Sequence, residues 1–300
     1  MRLRRSRRSL VALWLQASLV DAVFQEVVVE YLRLIGYCHG SGWAGSMTEK
    51  ILSFYEPLAE HYHLLFEDWN KAIERQARIL NPLLSKYLPG HPLKILDFAC
   101  GIGTQALGFA GFGHQVTASD LSRAEVNRTK HEAERLGLTI SFHISDMTSL
   151  AEITDCDFDV VAALDNALPH LTVEQLRSAV GAAGSKLKPN GLFLASIRDY
   201  DTLVLERPAS QEPALYGGEG DRRIVHQVWD WVDATKYTLH LYLTKQSGQA
   251  WTTHHFVSEY RGLLRKELSA ALESNGFEEV QWLMPAESGF YQPLVLARRM

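Results

Sequence analysis

The stretch from Lys94 to Leu107 constrains this chain more than any other. A short apolar run, Ile95 to Ala99, has the makeup of a strand buried on both faces. It meets Gly101 and Gly103, and from Gln105 the pattern turns helical. Strand, tight turn and helix start in that order predict a βα unit whose loop holds a ligand. Glycine lets backbone N–H groups approach a bound group closely, and the helix start adds unpaired donors and a positive dipole end.

The rest of the chain supplies the partners such a unit needs. Gln115–Ser119, Thr139–Ile144, Phe158–Leu164 and Leu192–Ile197 read as further strands, separated by helical runs at Arg123–Leu136 and Thr172–Leu187, with Lys188-Pro189-Asn190-Gly191 as a turn. Alternation of this kind predicts an α/β chain with a doubly wound, mostly parallel, Rossmann-like sheet. Glu49 to Leu88 reads as helix ending at Pro89-Gly90 and forms an N-terminal helical lid. Pro208 to Gly220 reads as a loop. Arg222–Val232, Tyr237–Lys245 and Ala250–Val257 alternate as strands do, which predicts an inserted antiparallel β cap within about 200–260. Gly262–Asn275 reads as a last helix stopped by Gly276, and Phe277–Leu283 and Gln292–Ala297 as an antiparallel terminal edge.

The glycine pattern Gly101-x-Gly103-x-x-Ala106 alone also satisfies the dinucleotide fingerprint. Asp97 separates the readings. A carboxylate four residues before Gly101 disfavours a pyrophosphate and favours a ligand carrying a cation near the loop. Leu96-Asp97-x-Ala99-Cys100-Gly101-x-Gly103 resembles the first motif of class I S-adenosylmethionine-dependent methyltransferases. The resemblance implies that Asp97, Ala99, Gly101 and Gly103 hold the amino-acid end of that cofactor.

It implies further cofactor contacts. Asp120, with Leu121 beside it, takes the ribose hydroxyls, a position that the spacing from the loop also supports. Asp146 and Met147 take the adenine, Leu164 and Asp165 border the site, and Tyr62, Trp69 and Arg75 form an aromatic lid. Residue chemistry alone leaves other roles open. Asp120 or Ser122 can cap the helix that follows, Asp146 can cap a turn, Tyr62 and Trp69 can face the core, and Arg75 can be a solvated charge.

Asp165-Asn166-Ala167-Leu168-Pro169-His170 lies at the carboxyl end of the fourth strand, where open α/β sheets line their ligand crevice. Asn166 and His170 are spaced as in glycine and sarcosine N-methyltransferases, and so are the candidates for the catalytic positions. His170 serves either as proton acceptor or as a hydrogen-bonding wall. Arg198 and Tyr200 resemble the segment that binds the acceptor in the same group. There an arginine pairs with a carboxylate; the alternative for Arg198 is an internal pair with Asp199 or Asp201. Trp229, Trp231, Tyr242 and Trp251 form either a cage for a cationic amine or a packing stripe. His240, His254 and His255 leave too few convergent ligands for a metal, so no metal is expected.

Composition narrows the classes. A formal charge of -5 gives no global basic field, which argues against a nucleic-acid partner. Cys38, Cys100 and Cys156 lack metal-ligand spacing and form no even set, in keeping with a reducing, cytoplasmic location. Residues 1–46 carry six arginines against three acids, and Leu10–Val20 is apolar-rich but too short to span a bilayer. This extension reads as an over-long start, a targeting segment or a helical appendage, with the domain itself over 47–300 and no stable membrane insertion. The expected function is methyl transfer from S-adenosylmethionine to a small-molecule acceptor, an amine nitrogen of an amino-acid-like compound. The alternatives are a nicotinamide-dependent oxidoreductase and a non-catalytic S-adenosylmethionine-binding protein.

Overall fold

In the computed structural model of this chain the described residues are 47–300; the extension over 1–46, with its basic and apolar stretches, lies outside them. Seven strands form the main sheet: β1 (Lys94–Asp97), β2 (Gln115–Asp120), β3 (Ile140–Ile144), β4 (Phe158–Ala163), β5 (Leu187–Ser196), β10 (Phe277–Leu283) and β11 (Leu294–Arg299). Their spatial order is β10-β11-β5-β4-β1-β2-β3. β3, β2, β1, β4 and β5 run parallel, while β11 pairs antiparallel with β5, and β10 with β11. The sheet is mostly parallel with an antiparallel edge, as the alternation predicts.

Strand order reverses between β1 and β4. The chain leaves β1 toward β2 on one side and reaches β4 on the other, so the connections diverge and leave a crevice at the carboxyl ends. The candidate segments that follow strands lie there: Asp97 to Gly103 after β1, Asp120 at the end of β2, Asp146 after β3, Asp165-Asn166 after β4 and Arg198 after β5.

Near-continuous apolar runs make these strands because both faces are covered. Ile95 packs into one buried cluster and Leu96 into the other; Val160 and Val161 divide likewise, as do Leu192 and Phe193. On one face lie α2 (Trp69–Tyr87) and α3 (Thr104–Gly111). The other receives α1 (Met47–Leu58), α5 (Val173–Lys186), α7 (Arg265–Ser274) and a four-stranded sheet. α4 (Arg123–Leu136) follows β2; Ser122 caps it by accepting from the Glu125 N–H at 3.2 Å, and Gly137 closes it with φ 67°.

Four expectations are corrected. The lid is not one continuous helix: a 3-10 turn at Tyr62–Leu65 separates α1 from α2, and Asp68 restarts the helix by capping the Lys71 N–H at 3.1 Å. Residues 208–220 are not all loop, because Ser210–Tyr216 forms β6 against β7 (Arg223–Trp231). Pro213 is tolerated since the register breaks between Gln211 and Ala214, where its missing N–H costs no ladder bond. The cap therefore has four strands, completed by β8 (Lys236–Ser247) and β9 (Ala250–Arg261). Residues 188–191 sit inside β5 as an irregularity, with Asn190 at φ 63°, and Tyr200–Glu206 forms a short helix, α6, that the sequence pattern did not signal.

In the cap, Trp229 faces inward and stacks on Tyr237 at 4.9 Å, with Trp231 beside it. Tyr242 lies on the opposite face between His226 and His255, and Trp251 is exposed. Strand parity thus separates the four aromatics, and they form no shared cage. His254 lies against His61 with the rings tilted, while His255 meets His240 at 3.0 Å on the other face.

Phe193 is fully buried between Phe98 and Phe277. Phe193→Ala is expected to lower unfolding free energy by about 3–5 kcal/mol, read as a lower denaturant midpoint at unchanged slope.

Candidate active site

The loop after β1 is held by its own backbone. The Cys100 N–H donates to Ser119 O at 3.0 Å, and the Gly103 N–H to Cys100 O at 2.8 Å. Gly101 and Gly103 have φ of 52° and 91°. A Cβ on Gly103 would stand 2.4 Å from Thr129 Cγ2, so α4 packs against this turn as closely as a glycine allows. Thr129 Oγ1 donates to Gly101 O at 2.8 Å and ties the turn to that helix. Cys100 is buried and its thiol is pushed up by that burial, so it serves as a small packed residue.

A cleft of about 840 Å3 opens above the loop. Tyr62, Ala99, Gly101, Asp120, Leu121, Asp146, Met147, Leu164, Asp165 and His170 all line it, so one surface gathers most of the residues singled out from the sequence. Asp120 accepts from the Gly101 N–H and, through its other oxygen, from the Ser122 N–H, each at 3.0 Å. The helix cap is therefore Ser122, and Asp120 faces the cleft. Asp146 Oδ1 accepts from the Thr148 N–H and hydroxyl, both at 2.8 Å, so this acid also caps its own turn.

Asp97 does not line the cleft surface. It is 1% exposed at the base of the loop, and neither oxygen has a well-formed hydrogen bond. Burial pushes its carboxyl up to about 7, and Asp120 adds to the push; the nearby N–H groups of Ala99 and Ala106 relieve it only in part. Burial also raises Asp120 and Asp165. No lysine or arginine among the described residues lines the cleft. The expected cofactor is tested by that charge pattern: unbalanced carboxyl groups fit a ligand with a cation and several N–H and O–H donors, and oppose a diphosphate.

A second cavity of about 1850 Å3 lies beside the first, and Tyr55, Tyr62 and Asp165 line both. Asn166, Arg198 and Arg75 are on its wall. Arg198 pairs with no carboxylate among the described residues, because Asp199 and Asp201 both pair with Arg265. Its guanidinium donates to Tyr237 Oη at 3.3 Å and Gln227 Oε1 at 3.2 Å and lies over the Trp229 ring at 4.9 Å. Asn166 is spent on positioning: its Oδ1 accepts from the Arg198 N–H at 3.0 Å and its Nδ2 donates to Tyr200 Oη at 3.1 Å. Asp165 and Asn166 both have left-handed backbones, φ 59° and 69°, which costs roughly 1–2 kcal/mol each and aims their side chains at the crevice.

Three expected placements are corrected. Trp69 lies behind the loop, not over the cleft, and its indole N–H donates to Thr104 Oγ1 at 2.8 Å at the start of α3. Arg75 faces the second cavity instead of the first. Tyr200 is fully buried, its hydroxyl engaged by Asn166 and Tyr237. In each case helical periodicity or loop position gave the residue but not its direction.

Sequence reading passed over Tyr55 and Glu125. Tyr55 Oη is 2.8 Å from His170 Nε2 and 3.3 Å from Tyr260 Oη. His170 is 6% exposed, and burial pushes it down to about 4, so its ring is neutral at neutral pH. Nothing local in the sequence distinguishes Tyr55 from the apolar helix positions around it. Glu125 reads as an ordinary first-turn acid, yet it lines the cleft and is 1% exposed.

Gly103→Ala is expected to cost about 1–3 kcal/mol in overpacking against Thr129 and about 1–2 more for the left-handed backbone, with loss of ligand binding in the cleft. Adding Thr129→Ser should restore the overpacking part in thermal melts. That change removes Cγ2 and keeps the hydroxyl that bonds Gly101.

Comparison with known proteins agrees with this geometry. Residues 95–191 match the family described as methyltransferase domain. A ubiquinone biosynthesis O-methyltransferase of Nitrosococcus oceani is 34% identical over 116 residues, which is 37% of this chain and 48% of that protein. The chain thus spans about half the length of the curated relatives it matches. Among solved structures, an S-adenosylmethionine-bound amino pentose methyltransferase from Micromonospora echinaspora superposes with TM-score 0.64 at 18% identity, covering 87% of this chain and 100% of that one. An S-adenosylmethionine-dependent methyltransferase from Clostridium acetobutylicum gives 0.63 at 15% identity over 82% and 98%. These likenesses carry the fold, and the family match adds the finding that residues 95–191 are a methyltransferase domain, within a fold shared with S-adenosylmethionine-dependent methyltransferases.

Proposed function

We propose that this protein transfers a methyl group to a small molecule that carries a carboxylate, with an amine nitrogen as nucleophile. The observation that carries the proposal is Arg198. A guanidinium on the wall of the second cavity, stacked on Trp229, hydrogen-bonds only neutral side chains and has no direct ion pair among the described residues, with Asp165 acting on it through space alone. A carboxylate-bearing acceptor supplies that pair, and Arg198 retains donors for that purpose. The cavity around it has mixed walls, apolar at Phe54, Leu58, Leu239 and Leu241 and polar at Gln211 and Gln292.

In this reading Asp97, the loop of Gly101 and Gly103, and Asp120 hold S-adenosylmethionine, with Asp146 and Met147 beside its base. When bound, that cofactor supplies an electrophilic methyl carbon on a sulfonium, open to in-line displacement that leaves a neutral thioether. The chain's own work is alignment and exclusion of water. Arg198 anchors the acceptor from the second cavity. Asn166 fixes the Arg198 backbone, and Asp165, Tyr55 and Tyr62, which border both cavities, mark where the nucleophile meets the methyl group.

A second reading places an oxygen nucleophile at the same point. The Tyr55–His170 contact favours it, since Tyr55 borders both cavities and is a polar side chain there that a hydroxyl nucleophile would meet, with His170 Nε2 at 2.8 Å to orient it. The ubiquinone biosynthesis relatives are named as O-methyltransferases. Turnover with matched amine and phenol acceptors, each with and without a carboxylate, separates the readings. The amine proposal expects turnover of the carboxylated amine and little with the phenols.

Arg198→Ala is expected to raise KM for a carboxylated acceptor roughly 10- to 100-fold, the loss of a charge-assisted pair worth about 1.5–3 kcal/mol. Affinity for S-adenosylhomocysteine should not change. An unchanged KM contradicts the anchor.

A further inference from the structure

Glu125 stands in the first turn of α4, where an acid is ordinarily solvated and favoured by the helix dipole. Here it is 1% exposed, it lines the cleft, and Oε1 has no hydrogen-bond partner. Its carboxyl oxygens lie 3.8 Å from where a Cβ on Gly101 would be, so it looks across the same glycine whose N–H is held by Asp120. A buried polar atom left unpaired costs free energy, and one on a cleft wall is satisfied when a ligand arrives.

The groups around Glu125 fix its state. Three other carboxyl groups face it: Asp120 from the end of β2, Glu56 from α1 and Asp165 from the turn after β4. Burial raises its pKa well above the usual carboxylate range, and those three acids raise it further. Glu56 is already engaged, accepting from the Ser122 hydroxyl at 3.1 Å and the Ala124 N–H at 3.3 Å. A protonated carboxyl offers one O–H donor and retains acceptor capacity.

We propose that Glu125 is a cofactor-binding residue that shares with Asp120 the paired hydroxyls of the nucleoside sugar. The inference rests on the reading of this cleft as the S-adenosylmethionine site. Asp120 already accepts one backbone N–H on each oxygen, so a vicinal diol gains from a second carboxyl able both to donate and to accept. Asp120 provides the charged acceptor and Glu125 the adaptable one.

The test is calorimetric titration with S-adenosylhomocysteine and its 2′-deoxy and 3′-deoxy analogues. Glu125→Gln keeps a donor and an acceptor in nearly the same shape, and should bind S-adenosylhomocysteine within about 3-fold of the unaltered protein. Glu125→Leu should weaken that binding at least about tenfold, while matching the unaltered protein for the deoxy analogue that lacks the contacted hydroxyl. Should the leucine variant fail to fold in thermal melts, Glu125→Met, which is unbranched, replaces it. The proposal is overturned if the apolar variant binds S-adenosylhomocysteine as tightly as the unaltered protein, or loses the same factor against all three ligands. A tenfold loss in Glu125→Gln also overturns it, because it would show that the charge matters. Failure of the unaltered protein to bind S-adenosylhomocysteine at all would instead refute the cleft assignment beneath it.

Discussion

Several carboxyl groups are buried around one cleft that no lysine or arginine of the described residues lines, and the rest of the site follows from that crowding. Asp97, at the base, has both oxygens without well-formed hydrogen bonds, and burial, with Asp120 adding to it, pushes its carboxyl up to about 7. Such an arrangement is costly in the empty protein. The folded state holds protons that the unfolded chain would release, so this residue's contribution to stability falls as pH rises from about 4 to about 7 and then levels off. A bound cation removes the cost, which ties affinity to the same residues that make the empty fold less stable.

The fold keeps that crowding in place. Reversal of strand order between β1 and β4 opens the crevice, and the glycine turn lies at its edge because Thr129 of α4 leaves no room for a side chain on Gly103. The acids arrive from separate strand ends, so no single loop movement relieves their crowding. The second cavity holds a buried cation. Arg198 is held by Asn166, Tyr237 and Gln227, and its nearest acidic sequence neighbours are diverted to Arg265. The two adjoining cavities share Tyr55, Tyr62 and Asp165 at their border.

Much of this was legible in the sequence. The strand, the two glycines and the acids at successive strand ends are local patterns, and the parallel sheet places them together wherever the chain alternates regularly. What escaped depended on partners distant in sequence. Residues 210–216 form a strand because β7 offers an edge, not because their Pro- and Glu-bearing sequence favours one. Trp69 and Tyr200 lay in the right segments but point away from the cavities, since helical spacing does not reveal which face is covered. Tyr55 and Glu125 carried no signal at all; only the packing of α1 over α4, with Glu56 reaching Ser122, shows that a surface helix and a first-turn acid become cleft walls.

The central claim is that unbalanced acids select a cationic ligand, and proton release on binding tests it most directly. Calorimetric titration of S-adenosylmethionine in buffers of different ionisation enthalpy counts the protons exchanged. A cation arriving near Asp97 must lower its raised pKa, so binding near pH 7 should release protons, affinity should rise from about pH 5 to about pH 8, and Asp97→Asn should abolish most of the release. Proton uptake, or affinity that is flat over that range with Asp97 intact, would contradict the account.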